Sequence, residues 1–277
     1  FMSRHWFLTG ASSGIGRHLA EIILASGDDL TATVRRPETL DDLAARYGDQ
    51  LVVERLDVTV KGDIAPVVQR AEARRPVDVL VNNAGGGIIG ATEEFSDADI
   101  EGQISLNLLA PVHVTRAFIP AMRTRRAGRI IQISSASGQG SLPTSSLYHA
   151  AKWGLEGFSE CLRQELEGFG VFVTLIEPGG ARTSFSRNLQ YAPANPAYQD
   201  TPAGQIRAMF ENAGDELYTL DPQKIAHRIF DTATSEKPPL RVALGGDAFG
   251  VIQAALKGRL SALEAQESLA RSVAFDS

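Results

Sequence analysis

Tyr148 and Lys152 stand four residues apart within Leu147–Glu167, a stretch whose apolar spacing predicts a helix. Residues four apart share one helix face, so the lysine ammonium can stabilise a tyrosinate electrostatically. A free phenol has a pKa of about 10, too high for acid–base exchange near neutrality. A fixed cation lowers it towards the working pH. Two hydroxyls, Ser134 and Ser135, end an upstream apolar run, Arg129–Ser134, that predicts a buried strand.

A second chemical feature lies near the start of the chain. Thr9-Gly10-Ala11-Ser12-Ser13-Gly14-Ile15-Gly16 separates a predicted strand from a predicted helix. Glycine tolerates positive φ and lets a ligand approach the backbone. The helix that follows offers free N–H groups and a positive dipole end to a phosphate. Gly10, Ser12, Ser13, Gly14, Ile15 and Gly16 are therefore read as a dinucleotide cradle. A site for NAD usually has an acidic residue at the end of the second strand. Here that strand ends Val34-Arg35-Arg36. A guanidinium suits a 2′-phosphate, so NADP(H) is expected in preference to NAD(H). Arg35 is the main contact and Arg36 a second; the alternative is that both are surface charges.

The elements that would position these residues alternate along the chain. Strands are expected at His5–Thr9, Asp29–Val34, Leu51–Leu56, Val77–Asn82, Arg129–Ser134, Val171–Ile176 and Leu240–Leu244. Helices are expected at Gly14–Ser26, Pro37–Tyr47, Lys61–Arg74, Asp97–Arg123, Leu147–Glu167 and Asp221–Thr234. Several strands are continuously apolar, as in a parallel sheet covered by helices on both faces. The expected fold is α/β: one doubly wound, Rossmann-type domain over residues 2–277 with seven parallel strands. Phe1 before Met2 reads as an expression-vector remnant. Residues 182–220, with Pro193, Pro196 and Pro202, are expected to fold over the ligand edge as a lid. Residues 247–272 are expected to form a helical tail whose Leu256, Leu260, Leu263 and Leu269 cover the domain or a neighbouring subunit.

Composition narrows the classes. The 27 basic and 33 acidic residues give a formal net charge of −6, against a general affinity for nucleic acid. Arg123, Arg125, Arg126 and Arg129 are read as a solvated helix end. The single cysteine, Cys161, excludes a disulfide framework and a Cys-based zinc site. It is read as packing among Phe158, Leu162 and Leu166. No metal motif is expected among the scattered histidines, and His149 is placed on an outer face or at an interface, outside the catalytic set. With no apolar run of about 18 residues and no signal peptide, a cytoplasmic location is expected.

The motifs together resemble the short-chain dehydrogenase/reductase family, in its compact single-domain branch. The glycine turn matches its T-G-x-x-x-G-I-G, and Asn82-Asn83-Ala84-Gly85 its N-N-A-G. Tyr148-His149-Ala150-Ala151-Lys152 matches Y-x-x-x-K, and Pro178-Gly179-Gly180-Ala181-Arg182-Thr183 matches P-G-x-x-x-T. The matches run in order over Thr9–Thr183. The resemblance implies a catalytic set of Asn107, Ser135, Tyr148 and Lys152. Ser135 lies thirteen positions before Tyr148 (148 minus 135), the family's spacing. Ser134 is the alternative by proximity, but it points to the other sheet face if the strand reaches it. Asn107 would hold a water against Lys152; the alternative is a bond to its own helix backbone. The resemblance also places Asp57 and Val58 at the adenine, with Asp57 alternatively capping a helix. It places Asn83, Ala84 and Gly85 along the adenosine ribose, and Pro178, Gly179 and Thr183 past the nicotinamide. Lys152, beside Tyr148, would also hold the nicotinamide ribose. Gly86, Gly87 and Gly90 lengthen that loop and are expected to keep it pliable.

The implied reaction is hydride transfer between NADP(H) and a small carbonyl or alcohol, with Tyr148 as proton donor in reduction. Alternatives are oxidation of an alcohol and NADP(H) binding without turnover. Gly86–Gly90, Ala136–Leu147, Phe185, Leu189, Tyr191, Met209 and Phe210 would line an apolar pocket, suited to a bulky ketone. The motif style also resembles carbonyl and ketoacyl reductases and 17β-hydroxysteroid dehydrogenase-like proteins. The slim helix carrying Ala150, Ala151, Gly154 and Gly157 suggests a homodimer or homotetramer.

Overall fold

The computed structural model describes residues 3–275. Its strands are β1 His5–Thr9, β2 Asp29–Val34, β3 Leu51–Arg55, β4 Val79–Asn82, β5 Ile88–Ile89, β6 Gly128–Ile133, β7 Val171–Pro178, β8 Gln190–Tyr191 and β9 Arg241–Leu244. Its α-helices are α1 Gly14–Ala25, α2 Asp41–Tyr47, α3 Lys61–Arg74, α4 Asp97–Ile104, α5 Ala110–Arg125, α6 Ser146–Leu166, α7 Ser184–Arg187, α8 Pro202–Glu211, α9 Pro222–Thr234, α10 Gly246–Glu264 and α11 Glu267–Arg271.

Seven strands pair in the order β3-β2-β1-β4-β6-β7-β9, and every pairing is parallel. The chain winds outward from β1 to β3, then returns to the other side of β1 with β4. That reversal opens a crevice beyond the carboxyl ends of β1 and β4, where doubly wound sheets bind ligands. The turns after these two strands carry Gly10–Gly16 and Asn83–Gly85.

Side chains alternate across the sheet. Trp6 and Leu8 join α1 and α9 residues such as Leu19, Ile23 and Ile229 on one face. Phe7 and Leu80 join Val114, Phe118 and Leu162 on the other. Trp6 stacks on Phe230 at 5.3 Å, and Phe7 meets Phe118 edge-on at 4.9 Å. Both faces are buried, which is why these strands are continuously apolar.

Several expectations need correction. The helix expected over Asp97–Arg123 is broken by a π turn at Ser105–Leu109, between α4 and α5. Pro37–Leu40 forms a 3₁₀ turn before α2. Cys161 is exposed, because α6 buries Leu155, Ser159, Leu162 and Leu166, and residue 161 sits about 100° from 162. Arg129 lies in β6, its guanidinium 4.6 Å from the Phe172 ring, and not at a helix end. Leu256, Leu260, Leu263 and Leu269 are exposed and do not cover their own subunit. Among the described residues, no helix is long and apolar enough to cross a membrane.

Candidate active site

The glycine turn after β1 is locked to the turn after β4. Asn83 Nδ2 donates to the carbonyls of Thr9 (3.1 Å) and Gly10 (2.9 Å). Thr9 Oγ1 accepts from the amides of Asn83 and Ala84. Gly10 and Gly14 adopt φ of +70° and +55°, where a side chain costs strain. A Cβ on Gly16 would collide with the Gly10 carbonyl oxygen and Asn83 Nδ2. Ser13 precedes α1 in extended conformation and does not cap it. The first-turn amides of α1 therefore suit a phosphate, and the cradle fits a dinucleotide. Ser12 and Ser13 are exposed, and Ile15 is half-buried. Ser13 Oγ bonds Ser184 Oγ at 2.7 Å, and the Thr183 side chain packs against Gly14.

Arg35 and Arg36 are exposed just beyond β2, whereas Val34 is buried. Asp57 and Val58 lie one strand over. Thr59 donates its amide and hydroxyl to Asp57 Oδ1 at 3.0 and 2.7 Å. Those bonds hold the Asp57 carboxyl below its usual range, with nearby Arg35 a smaller contributor. Asp57 thus shapes the turn into α3, but the cap position itself is Val60. Val58 is buried. Beyond β7, which Pro178 ends, the Gly180 amide donates to Asp247 Oδ2 at 2.7 Å. A Cβ on Gly179 would strike that carboxylate. Asp247, 67 residues downstream, carries no local motif that would have marked it.

Ser135, Tyr148 and Lys152 come together where β6 meets α6. The Ser135 hydroxyl lies beside the Tyr148 phenol and accepts from the Ser137 amide at 3.1 Å. Lys152 Nζ donates to the Ile133 carbonyl at 2.8 Å and lies 5.6 Å from the Tyr148 ring centroid. Burial pushes the Tyr148 phenol up to about 12, with the Ser135 hydroxyl opposing it. Burial also pulls Lys152 down to about 8, against the attraction of Glu156. The expected depression of the phenol is absent: desolvation by burial is the dominant cause, and it raises the phenol. Ser134 is buried and donates to Glu156 Oε1 at 2.5 Å, directed away from Tyr148's partner Ser135.

Asn107 sits in the π turn and is buried. Its Nδ2 donates to Gly86 O (3.0 Å) and Gln103 O (3.3 Å), and its Oδ1 accepts from the Gly86 amide (3.3 Å). It grips both its own helix and the loop after β4. A Cβ on Gly85 would come within 3.0 Å of that Oδ1. The loop is packed and not pliable: a Cβ on Gly87 would meet Leu189 at 2.7 Å and Phe185 at 3.2 Å. β5 pairs with β8, which brings residues 182–220 onto this loop. Glu94 accepts from the amides of Ala91 and Asn195, both at 2.7 Å, and from Arg207 Nη1 at 3.3 Å. Arg207 also donates to the Ala192 carbonyl. The Phe185 ring lies 5.8 Å from that of Tyr148. Tyr191 and Met209 are exposed and Phe210 is half-buried. His149 Nδ1 bonds the Ser137 carbonyl at 2.8 Å, so it ties down the serine turn and is not a free outer-face residue.

A glycine turn at a sheet reversal, with a serine, tyrosine and lysine where β6 meets α6, is the arrangement of a nucleotide-dependent oxidoreductase. The short chain dehydrogenase family model matches residues 4–193, and the chain belongs to that family. It is 35% identical over 250 residues to Oxidoreductase BOA17 of Botryotinia fuckeliana, covering 89% of this chain and 90% of that protein. The crystal structure of a short-chain dehydrogenase from Streptomyces avermitilis superposes with a TM-score of 0.91 at 39% identity, covering 98% of each chain. A metagenomic short-chain oxidoreductase in complex with NADP is 27% identical, with a TM-score of 0.69 over 87% of this chain and 96% of that one. A Burkholderia phymatum relative in complex with NAD shares the fold at 23% identity and a TM-score of 0.80, over 96% of each chain.

Proposed function

We propose that the protein reduces a ketone or aldehyde to an alcohol with NADP(H). The reading is carried by one observation: Ser135 and Lys152 both stand beside the Tyr148 ring. When bound, the cofactor supplies a hydride from nicotinamide C4. Ser135 holds the carbonyl oxygen and polarises it. Tyr148, neutral at physiological pH as a phenol is, delivers its proton to that oxygen. Lys152 steadies the tyrosinate left behind and holds the nicotinamide ribose. Asn107 fixes the loop after β4, and Gly10–Gly16, Asn83, Ala84, Gly85, Pro178, Gly179 and Thr183 seat the dinucleotide. The chain's contribution is orientation and a positioned proton donor.

The preference for NADP(H) over NAD(H) rests on the exposed Arg35, with Arg36 behind it and no acidic residue at Val34. Arg35→Asp is expected to lower the ratio of kcat/KM for NADPH over NADH by about tenfold or more, as loss of charge-assisted bonds predicts. A wild-type ratio below one contradicts the assignment. Phe185, Leu189 and the glycine loop favour an apolar substrate. A panel of aliphatic, aromatic and polycyclic ketones, assayed in both directions, tests both reaction and substrate class. Exposed Trp153 on α6 and Leu109 at the head of α5 support a homodimer or homotetramer, which light scattering reads directly.

A further inference from the structure

Behind the catalytic set lies a second cluster of titratable groups. Glu156 stands four residues beyond Lys152 on α6, and Glu177 is near the end of β7. Both are buried, and their carboxyls converge on one nitrogen, Arg241 Nε, at 2.9 and 3.5 Å. Two carboxyls can bond directly only if one keeps its proton. Glu156 Oε1 accepts from Ser134 Oγ at 2.5 Å, and its Oε2 accepts from Arg241 Nε at 2.9 Å. Glu177 Oε1 accepts from Gln139 Nε2 at 2.7 Å and lies 3.5 Å from Arg241 Nε. Arg241 also pairs with Glu160. Gly138 closes over the cluster: a Cβ there would sit 2.8 Å from both Glu156 Cγ and Ser134 Oγ.

We propose that Glu156 and Glu177 share one proton and act as a positioning pair for Ser135 and Lys152. Glu177 carries the proton and donates it to the Glu156 carboxylate. That carboxylate holds Ser134, the residue before Ser135, and faces Lys152 along the helix. Gln139, bound to Glu177, ends the turn that Ser135 begins. One hydrogen-bonded unit therefore ties β6, β7 and β9 to the helix that bears Tyr148 and Lys152. The charged and titratable groups around it are Lys152 and Glu160 on α6, Arg241 on β9, His149 at the serine turn, Asp247 against Gly179, and Arg259 on α10, which donates to the Gln139 carbonyl. Loss of the shared proton sets two buried carboxylates against each other, with Arg241 the nearest cation to both.

Burial and the Glu156 charge raise Glu177 from 4.5 to about 7. A carboxyl raised on folding contributes stability at low pH and loses it as pH rises through the folded value. The loss here spans 4.5 to about 7. Glu177→Gln keeps a donor towards Glu156 at every pH. Its Tm gain over wild type is expected to be larger at about pH 9 than at about pH 5.5, by about 2 °C or more. In carbonyl reduction, the midpoint of the alkaline fall in kcat is expected to move from about 7, set by Glu177, towards about 8, set by Lys152. A merely structural glutamate moves neither readout. An equal Tm change at both pH values, or an unchanged midpoint, overturns the proposal. Should the variant not fold, infrared titration of the wild type serves: a protonated-carboxyl band present near pH 6 and lost by about pH 9 is expected, and its absence near pH 6 overturns the pair. The kinetic arm rests on the proposed reaction, whereas the thermal and infrared arms do not. A wild type without turnover but with the pH-dependent Tm gain contradicts the reaction and not the pair.

Discussion

Tyr148→Phe is expected to lower kcat for carbonyl reduction by about a thousandfold, the scale of a lost general acid. NADPH should still bind, because the glycine turn and its clamp by Asn83 do not involve the phenol. The magnitude follows from what phenylalanine cannot do. Ser135 can still polarise the substrate oxygen, but no group beside it can release a proton at neutral pH. The lysine sets a companion pH dependence. Lys152 loses its proton above about 8, and the developing tyrosinate then lacks its counter-charge. Reduction should therefore be lost above that value, which is the upper limit left once the fall set by the Glu156–Glu177 pair is removed. Initial rates with bound-cofactor fluorescence separate binding from chemistry. Retained turnover in Tyr148→Phe would remove the phenol from the mechanism.

Gly16→Val is expected to abolish cofactor binding and to destabilise the fold. The added Cβ alone would collide with the Gly10 carbonyl and with Asn83 Nδ2. Neither can yield cheaply: one is backbone at a residue already at φ +70°, and the other bonds both Thr9 and Gly10. Overpacking of this kind costs about 1–3 kcal/mol, and relief requires opening the cradle. NADPH affinity should weaken by about a hundredfold or more, which corresponds to about 2.7 kcal/mol. Gly62, on α3, meets nothing within 4 Å of its built Cβ. Gly62→Ala should leave binding unchanged, which separates a local clash from a general effect of losing glycine. Isothermal titration and thermal melts read both effects.

The sheet was legible because its physics is local. Val79–Val81 is continuously apolar and Val171–Ile176 is apolar but for Thr174, as strands covered on both faces must be. The glycine turn was legible because only glycine meets its conformational demands. What escaped the sequence depends on contacts between distant segments. The π turn at Ser105–Leu109 exists where Asn107 reaches Gly86, 21 residues away. The β5–β8 ladder consists of two-residue strands, too short for any periodic signal. Glu156 and Glu177 look like ordinary surface acids until β6, β7 and α6 are assembled around them. Cys161 was misplaced by a single position on its helix, enough to turn it from core to solvent. The Tyr148–Lys152 pair was legible as a pair, but its electrostatics were not. Sequence spacing conveys the cation and says nothing of the burial that raises the phenol.

Glycine is mildly enriched, 26 of 277 residues, and its placement follows the same division. Gly10, Gly14 and Gly16 serve the cradle as expected. Gly87, Gly90 and Gly138 instead make room for Leu189, Ala192 and Glu156. Gly245, at φ +115°, begins α10 where any Cβ would meet Asp247 and Leu220. That places Asp247 against Gly179 and Gly180, at the edge of the proposed nicotinamide site.

Hydride transfer from NADP(H) to a carbonyl carbon is tested most directly by following the hydrogen itself. The wild-type protein is incubated with a ketone panel and NADPH carrying deuterium at either face of nicotinamide C4, and the alcohols are analysed by mass spectrometry. Deuterium on the new carbinol carbon, from one face only and absent with Tyr148→Phe, is the predicted result. No labelled alcohol from any ketone, with NADPH bound to the protein throughout, would contradict it.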